Sequence, residues 1–115
     1  MDNGYPGGMP DSFLRPCLLL LIKEQPGHGY DLVVRLKSLR VDDEPASLYR
    51  VLRTLESHGA IRSEWEFSKV GPARRVYHLT ERGDEMLAGW AEAIKDTSRS
   101  IAQYLDRYAE SGRAE

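Results

Sequence analysis

The segment PASLYRVLRTLESH, Pro45–His58, places Leu48, Val51, Leu52 and Leu55 at i, i+3, i+4 and i+7. That spacing is the apolar stripe of a helix lying on a core. Pro45 fits the opening position of the predicted helix, where its missing N–H costs nothing. The acidic turn Asp42-Asp43-Glu44 stands ahead of it, where the helix dipole favours negative charge, and Gly59 supplies the stop. The face opposite the stripe carries Ser47, Tyr49, Arg50, Arg53, Thr54 and Ser57. A helix with one apolar face and one basic, hydroxyl-rich face has two different surfaces to address.

Upstream, Phe13 to Lys23 is predicted to be a helix with Arg15-Pro16 in its first turn. Leu18 to Ile22 make it apolar almost all round, hence buried, and Gln25-Pro26-Gly27 ends it. A second helix is expected from about Gly29 to Leu39, with Tyr30, Val33, Val34 and Leu36 on a partly apolar face and Asp31, Arg35 and Lys37 elsewhere. Downstream, Ala60–Phe67 alternates, with Ile61, Ser63, Trp65 and Phe67 on one side and Arg62, Glu64 and Glu66 on the other. After the turn Ser68-Lys69-Val70-Gly71-Pro72, Arg74–Thr80 sets Val76 and His78 opposite Arg75, Tyr77 and Leu79. The two strands make a hairpin with a basic tip, Lys69, Arg74 and Arg75. Trp65 reads as a core strand residue.

Thr80 is expected to cap a long last helix reaching toward Tyr108. Leu87, Ile94, Ile101 and Tyr108 are spaced by seven, and Trp90, Thr97 and Tyr104 form the matching second row. Sustained heptads mark a helix that packs on another helix along its length. Residues 1–10 read as a flexible leader and 111–115 as a frayed tail, leaving 11–80 and 81–110 as the folded parts.

The chain has 115 residues, enough for one domain, with 41% apolar and 30% charged residues. Its longest apolar run, Cys17–Ile22, is far short of the ~20 residues a membrane span needs. The lone Cys17 has no intramolecular partner, suits a reducing cytoplasm and reads as a buried apolar residue. His28, His58, His78 and Cys17 show no metal-ligand spacing, so no metal and no cofactor are expected. No phosphate loop, nucleophile motif or paired carboxylates point to an enzyme. Net charge is −2, yet it is unevenly spread: residues 1–44 and 83–115 are net acidic and residues 45–82 are net basic. At a screening length of ~8–10 Å, such a patch can hold phosphates within an acidic protein.

Three helices, a hairpin and a long helix make a mainly α fold with a small β-hairpin: a winged helix-turn-helix plus a long C-terminal dimerisation helix. In such units the third helix enters the major groove of DNA. Ser47, Tyr49, Arg50 and Arg53 are then the candidate groove residues, with arginine suited to guanine and the hydroxyls to phosphate. Lys69, Arg74 and Arg75 belong to the wing. Arg74 and Arg75 point to opposite faces, so one addresses DNA and the other pairs with Glu64 or Glu66. Tyr49 is open between phosphate contact and packing on the wing, and Tyr30 between core and DNA contact. Leu87, Trp90, Ile94, Ile101, Tyr104 and Tyr108 are the candidate dimer residues, and Trp90 alternatively stacks on a ligand. A two-fold dimer would meet half-sites ~34–36 Å apart. The competing reading is a winged-helix protein-interaction module without specific DNA binding.

His28-Gly29-Tyr30-Asp31-Leu32, then Leu48–Glu56, Gly59 and Gly71–Gly83, together resemble the PadR family of transcriptional regulators from about Leu14 to Trp90. The resemblance implies a winged-helix homodimer that represses its target promoters and is released from operator DNA by a small molecule. It places Leu48-Tyr49-Arg50 in the recognition helix and Gly71–Arg75 in the wing. The single C-terminal helix resembles the family's short subgroup, in which flat aromatic effectors bind at the dimer interface, near the position of Trp90.

Overall fold

A computed structural model describes residues 11–41 and 44–113, with side chains from residue 13 onward. The expected leader 1–10, Asp42, Asp43, Ala114 and Glu115 lie outside the described residues. Along the chain run α1 (Asp11–Glu24), β1 (Gly27–His28), α2 (Gly29–Leu36) with a 3-10 turn at Lys37–Leu39, α3 (Pro45–Ser57), β2 (Ile61–Glu66), β3 (Arg74–Leu79) and α4 (Glu81–Arg113).

The core forms where three apolar helix faces meet the base of the sheet. Leu14, Cys17, Leu18, Leu19, Leu21 and Ile22 of α1 are buried with Leu32 and Leu36 of α2, Leu48, Leu52 and Leu55 of α3, and Ile61 and Tyr77 of the sheet. Burial pushes the Cys17 thiol up to about 11, so it stays protonated and unreactive. Two expectations for α1 are corrected. It starts at Asp11, so Pro16 sits inside the helix and not in its first turn. Its surface is not apolar-buried all round, since Leu20 is exposed toward α4.

Arg35, off the apolar face of α2 as expected, ties that helix to α1. It is held by Asp31 one turn back (3.3 Å) and donates to the carbonyls of Leu21 and Gln25 at the end of α1. A cation there satisfies acceptors that the helix itself leaves open.

The sheet has three strands in the order β1-β3-β2, all antiparallel. The third strand, β1, was not anticipated: two residues carry no alternation, and only the pairing of Gly27 with Tyr77 and His28 with Val76 defines it. The in-and-out assignment of β2 and β3 holds, but the expected core position of Trp65, with Phe67 on its side, does not. Trp65 is 57% and Phe67 80% exposed, because the hairpin runs on past the helices that cover Ile61 and Tyr77. Neither Arg74 nor Arg75 pairs with Glu64 or Glu66. Glu64 instead receives Arg62 (3.1 Å) and His78 (3.0 Å) on the outer face.

Thr80 is the cap expected for α4. Its Oγ1 accepts from the Gly83 N–H (3.0 Å) and lies within donating distance of the carbonyls of Gly59 (2.6 Å) and Ala60 (2.9 Å). Thr80→Ala is expected to cost ~1 kcal/mol, with Thr80→Ser restoring most of it, as read from thermal unfolding. α4 spans 33 residues, which at 1.5 Å per residue is roughly 50 Å. It runs to Arg113, through residues expected to fray after Glu110. Leu87 and Trp90 are half-buried against the chain's own core, and Lys23 of α1 is ion-paired with Asp84. Farther on, Ile101, Tyr104, Leu105 and Tyr108 are exposed. No described helix is long and apolar enough to cross a membrane.

Candidate nucleic-acid interface

α3 presents its basic face outward because Leu48, Leu52 and Leu55 fix its rotation in the core. Tyr49, Arg50 and Arg53 are exposed and Ser47 is half-buried. The hydroxyls of Thr54 and Ser57 bond back to the carbonyls of Arg50 (3.1 Å) and Thr54 (2.9 Å), which leaves the arginines as the reaching groups. Among the described residues, Arg50, Arg53, Lys69, Arg74 and Arg75 carry no ion pair. A cation without a protein carboxylate is available to an external anion.

Tyr49 turns sideways from this face and lies over Gly29. A Cβ at Gly29 would stand 2.6 Å from the Tyr49 hydroxyl and 2.7 Å from its Cζ, so this placement of the Tyr49 ring over the start of α2 requires glycine there. Tyr49 and Gly29 share a solvent-open hollow of about 350 Å³ with His28, Tyr30, Arg74, Arg75 and Tyr77. Tyr30, at 71% exposed, is therefore not a core residue. The hollow brings together four of the expected site residues, Tyr30, Tyr49, Arg74 and Arg75. Ser47, Arg50 and Arg53 lie on α3 outside it, and Lys69 lies beyond it in the β2–β3 turn.

Two members of the hollow, His28 and Tyr77, were not among the DNA-contact residues expected from sequence. His28 caps α2, its Nδ1 accepting from the Asp31 N–H (3.4 Å), while its Nε2 lies 3.2 Å from Arg74 Nη1. Tyr77 is buried, and burial raises its phenol above the ordinary value while the nearby Arg75 charge pulls the other way. The signal for Tyr77 was present, since it alternates with Arg75 and Leu79 on the inward side of β3. His28 gave no comparable signal, because its contact with Arg74 joins residues 46 apart in sequence.

Residues 18–89 match the model of the transcriptional regulator PadR-like family. The chain belongs to this family. PadR-like proteins are DNA-binding transcriptional regulators and not enzymes. Solved PadR-like structures share the fold. A PadR family regulator from Eggerthella lenta is 26% identical with TM-score 0.73, covering 82% of each chain. A PadR-like regulator from Bacillus cereus is also 26% identical with TM-score 0.73, covering 82% of this chain and 92% of that one. A conserved protein described as a potential transcriptional factor is 31% identical with TM-score 0.75, covering 86% and 90%. A search of curated proteins gave no match.

A second concavity of this PadR-like chain is separate from the first and shares none of its residues. It measures about 750 Å³ between α1 and α4 and is lined largely by apolar groups, among them Phe13, Leu20, Leu87, Trp90 and Ile94. Lys23, Asp84 and Lys95 also reach it. Among the described residues, no group of His, Cys, Asp and Glu is arranged to hold a metal ion.

Proposed function

We propose that this PadR-like regulator is a cytoplasmic homodimer that represses transcription at a pseudo-palindromic operator and is released by a small aromatic or apolar effector. The observation that carries the DNA half is the set of unpaired cations on α3 and the wing, which flank an aromatic hollow on one side of the fold. In this reading Arg50 and Arg53 enter the major groove with Ser47 beside them. Tyr49, Tyr30 and Arg74 hold backbone phosphates from the hollow, and Lys69 and Arg75 address the flanking backbone from the wing.

The dimer half rests on α4. Ile94, Ile101, Tyr104 and Tyr108 form an apolar stripe that the chain's own helices do not cover, and Leu87 and Trp90 begin the same stripe. Burying such a stripe against a second copy removes apolar surface from water at ~25 cal/mol per Å². The groove beside Trp90 supports an effector site at that same junction, where a bound molecule would alter how two recognition helices are spaced.

Fluorescence anisotropy tests the DNA reading, with a duplex from the gene's own upstream region against a scrambled duplex across a salt titration. Tight, salt-sensitive binding to the upstream duplex alone is expected. Absence of binding to either duplex at moderate salt would overturn it and favour a protein-interaction module. In the same assay, Arg50→Ala should cost ~1–3 kcal/mol and relax specificity at one base pair. Lys69→Ala should weaken all sequences alike and lower the salt slope by about one unit.

A further inference from the structure

Trp65 is a large apolar side chain standing in solvent on the inner side of the wing, with no core beneath it. Arg75 is its direct cross-strand partner in the β2–β3 register. The Arg75 guanidinium carbon stands 5.3 Å from the centre of the Trp65 ring, within cation–π range. Two residues along on the same face stands Tyr77, whose phenol feels the Arg75 charge, and both side chains line the hollow with Tyr49 of α3.

Arg75 is thus restrained by the Trp65 ring and, among the described residues, neutralised by no carboxylate. Arg62, on the outer face of the same sheet, is held differently, by an ion pair with Glu64 at 3.1 Å. The difference matters for an anion-binding group. A carboxylate partner orders a guanidinium but cancels its charge and must be displaced by a phosphate. An aromatic face orders it while leaving the charge and the N–H donors in the guanidinium plane available. Such ordering removes side-chain freedom that binding would otherwise have to freeze.

We infer that Trp65 is a positioning residue for DNA binding: it holds the Arg75 guanidinium beside Tyr77 and Tyr49, so that wing and recognition helix meet the DNA backbone as one pre-arranged surface. This rests on the DNA-binding reading above. Trp65 acts through Arg75 and makes no contact with DNA of its own.

The test is a double-mutant cycle in operator binding, with Trp65→Ala, Trp65→Phe, Arg75→Ala and the Trp65→Ala/Arg75→Ala double variant, each also followed by thermal unfolding. Arg75→Ala and Trp65→Ala should each weaken operator binding, the latter by about three- to tenfold, the scale of a partly exposed cation–π contact. The double variant should bind no more weakly than Arg75→Ala alone, and Trp65→Phe, which keeps an aromatic face, should regain most of the affinity. Wild-type affinity in either alanine variant overturns the inference. So does an undiminished Trp65→Ala effect in the Arg75→Ala background, which would mean that Trp65 touches DNA itself. A loss of melting temperature with unchanged affinity would reduce the pair to a strand-stabilising contact and also overturn it. Failure of the wild-type protein to bind any duplex would instead fell the DNA-binding reading, and this inference with it.

Discussion

Gly83→Ala is expected to destabilise the protein by ~2 kcal/mol, although alanine is the better helix former. Gly83 is buried in the first turn of α4. A Cβ there would press into the carbonyl oxygen of Ala60, and would lie 2.8 Å from Leu79 Cδ1 and 3.0 Å from the Ala60 carbonyl carbon. Leu79 can rotate aside, but the Ala60 peptide cannot move freely. Its oxygen accepts the Thr80 N–H (3.1 Å) and lies 2.9 Å from the Thr80 hydroxyl, so retreat would loosen the junction that anchors α4. Overpacking of this kind costs ~1–3 kcal/mol and sometimes more, against a gain of at most ~1 kcal/mol from helix propensity. Urea unfolding should show a lower midpoint with an unchanged slope. A midpoint equal to or above wild type would mean that α4 and the Ala60 peptide can separate at no cost.

Ile94→Asp is expected to abolish the dimer at concentrations where the wild type is associated. Ile94 lies where the α1–α4 groove ends and the uncovered stripe of α4 begins, and is 37% exposed in the single chain. A carboxylate is tolerable there while water reaches it. A two-fold interface would bury both copies of the substitution at once, each losing its hydration without a cation designed to meet it. A penalty of ~4 kcal/mol weakens association about a thousandfold. Gel filtration with light scattering should give the mass of one chain for the variant and two for the wild type. Since the position is partly exposed in the protomer, circular dichroism of the variant should keep its helical signal. A variant that stays dimeric would remove Ile94 from the interface and with it the heptad reading of α4.

Periodicity made much of this protein legible before any coordinates. Leu48, Val51, Leu52 and Leu55 declared α3 and fixed which of its faces would be free, because one turn of helix repeats every 3.6 residues whatever surrounds it. Thr80 announced the start of α4 by the short-range bond a hydroxyl makes to an N–H three residues on. Arg50 and Arg53 followed as the outward groups. Trp65 shows the limit of the same reasoning. Alternation correctly put it on the inward side of β2, yet inward is not buried when the strand outruns the layer beneath it. Leu20 likewise sits in an apolar run but faces an open groove, since one chain supplies only part of what could cover α1.

The local code of the sequence therefore determined the four helices and the β2–β3 hairpin, their order and their inner and outer faces, all of which depend on contacts a few residues apart. The tertiary structure alone decided what meets across long separations. It made Gly27-His28 a strand by pairing it with β3, set Tyr49 over Gly29, placed His28 against Arg74, and left Arg75 on an aromatic ring and not on Glu64 or Glu66. Those contacts are fixed by how helices and sheet pack in three dimensions, and no spacing along the chain encodes them.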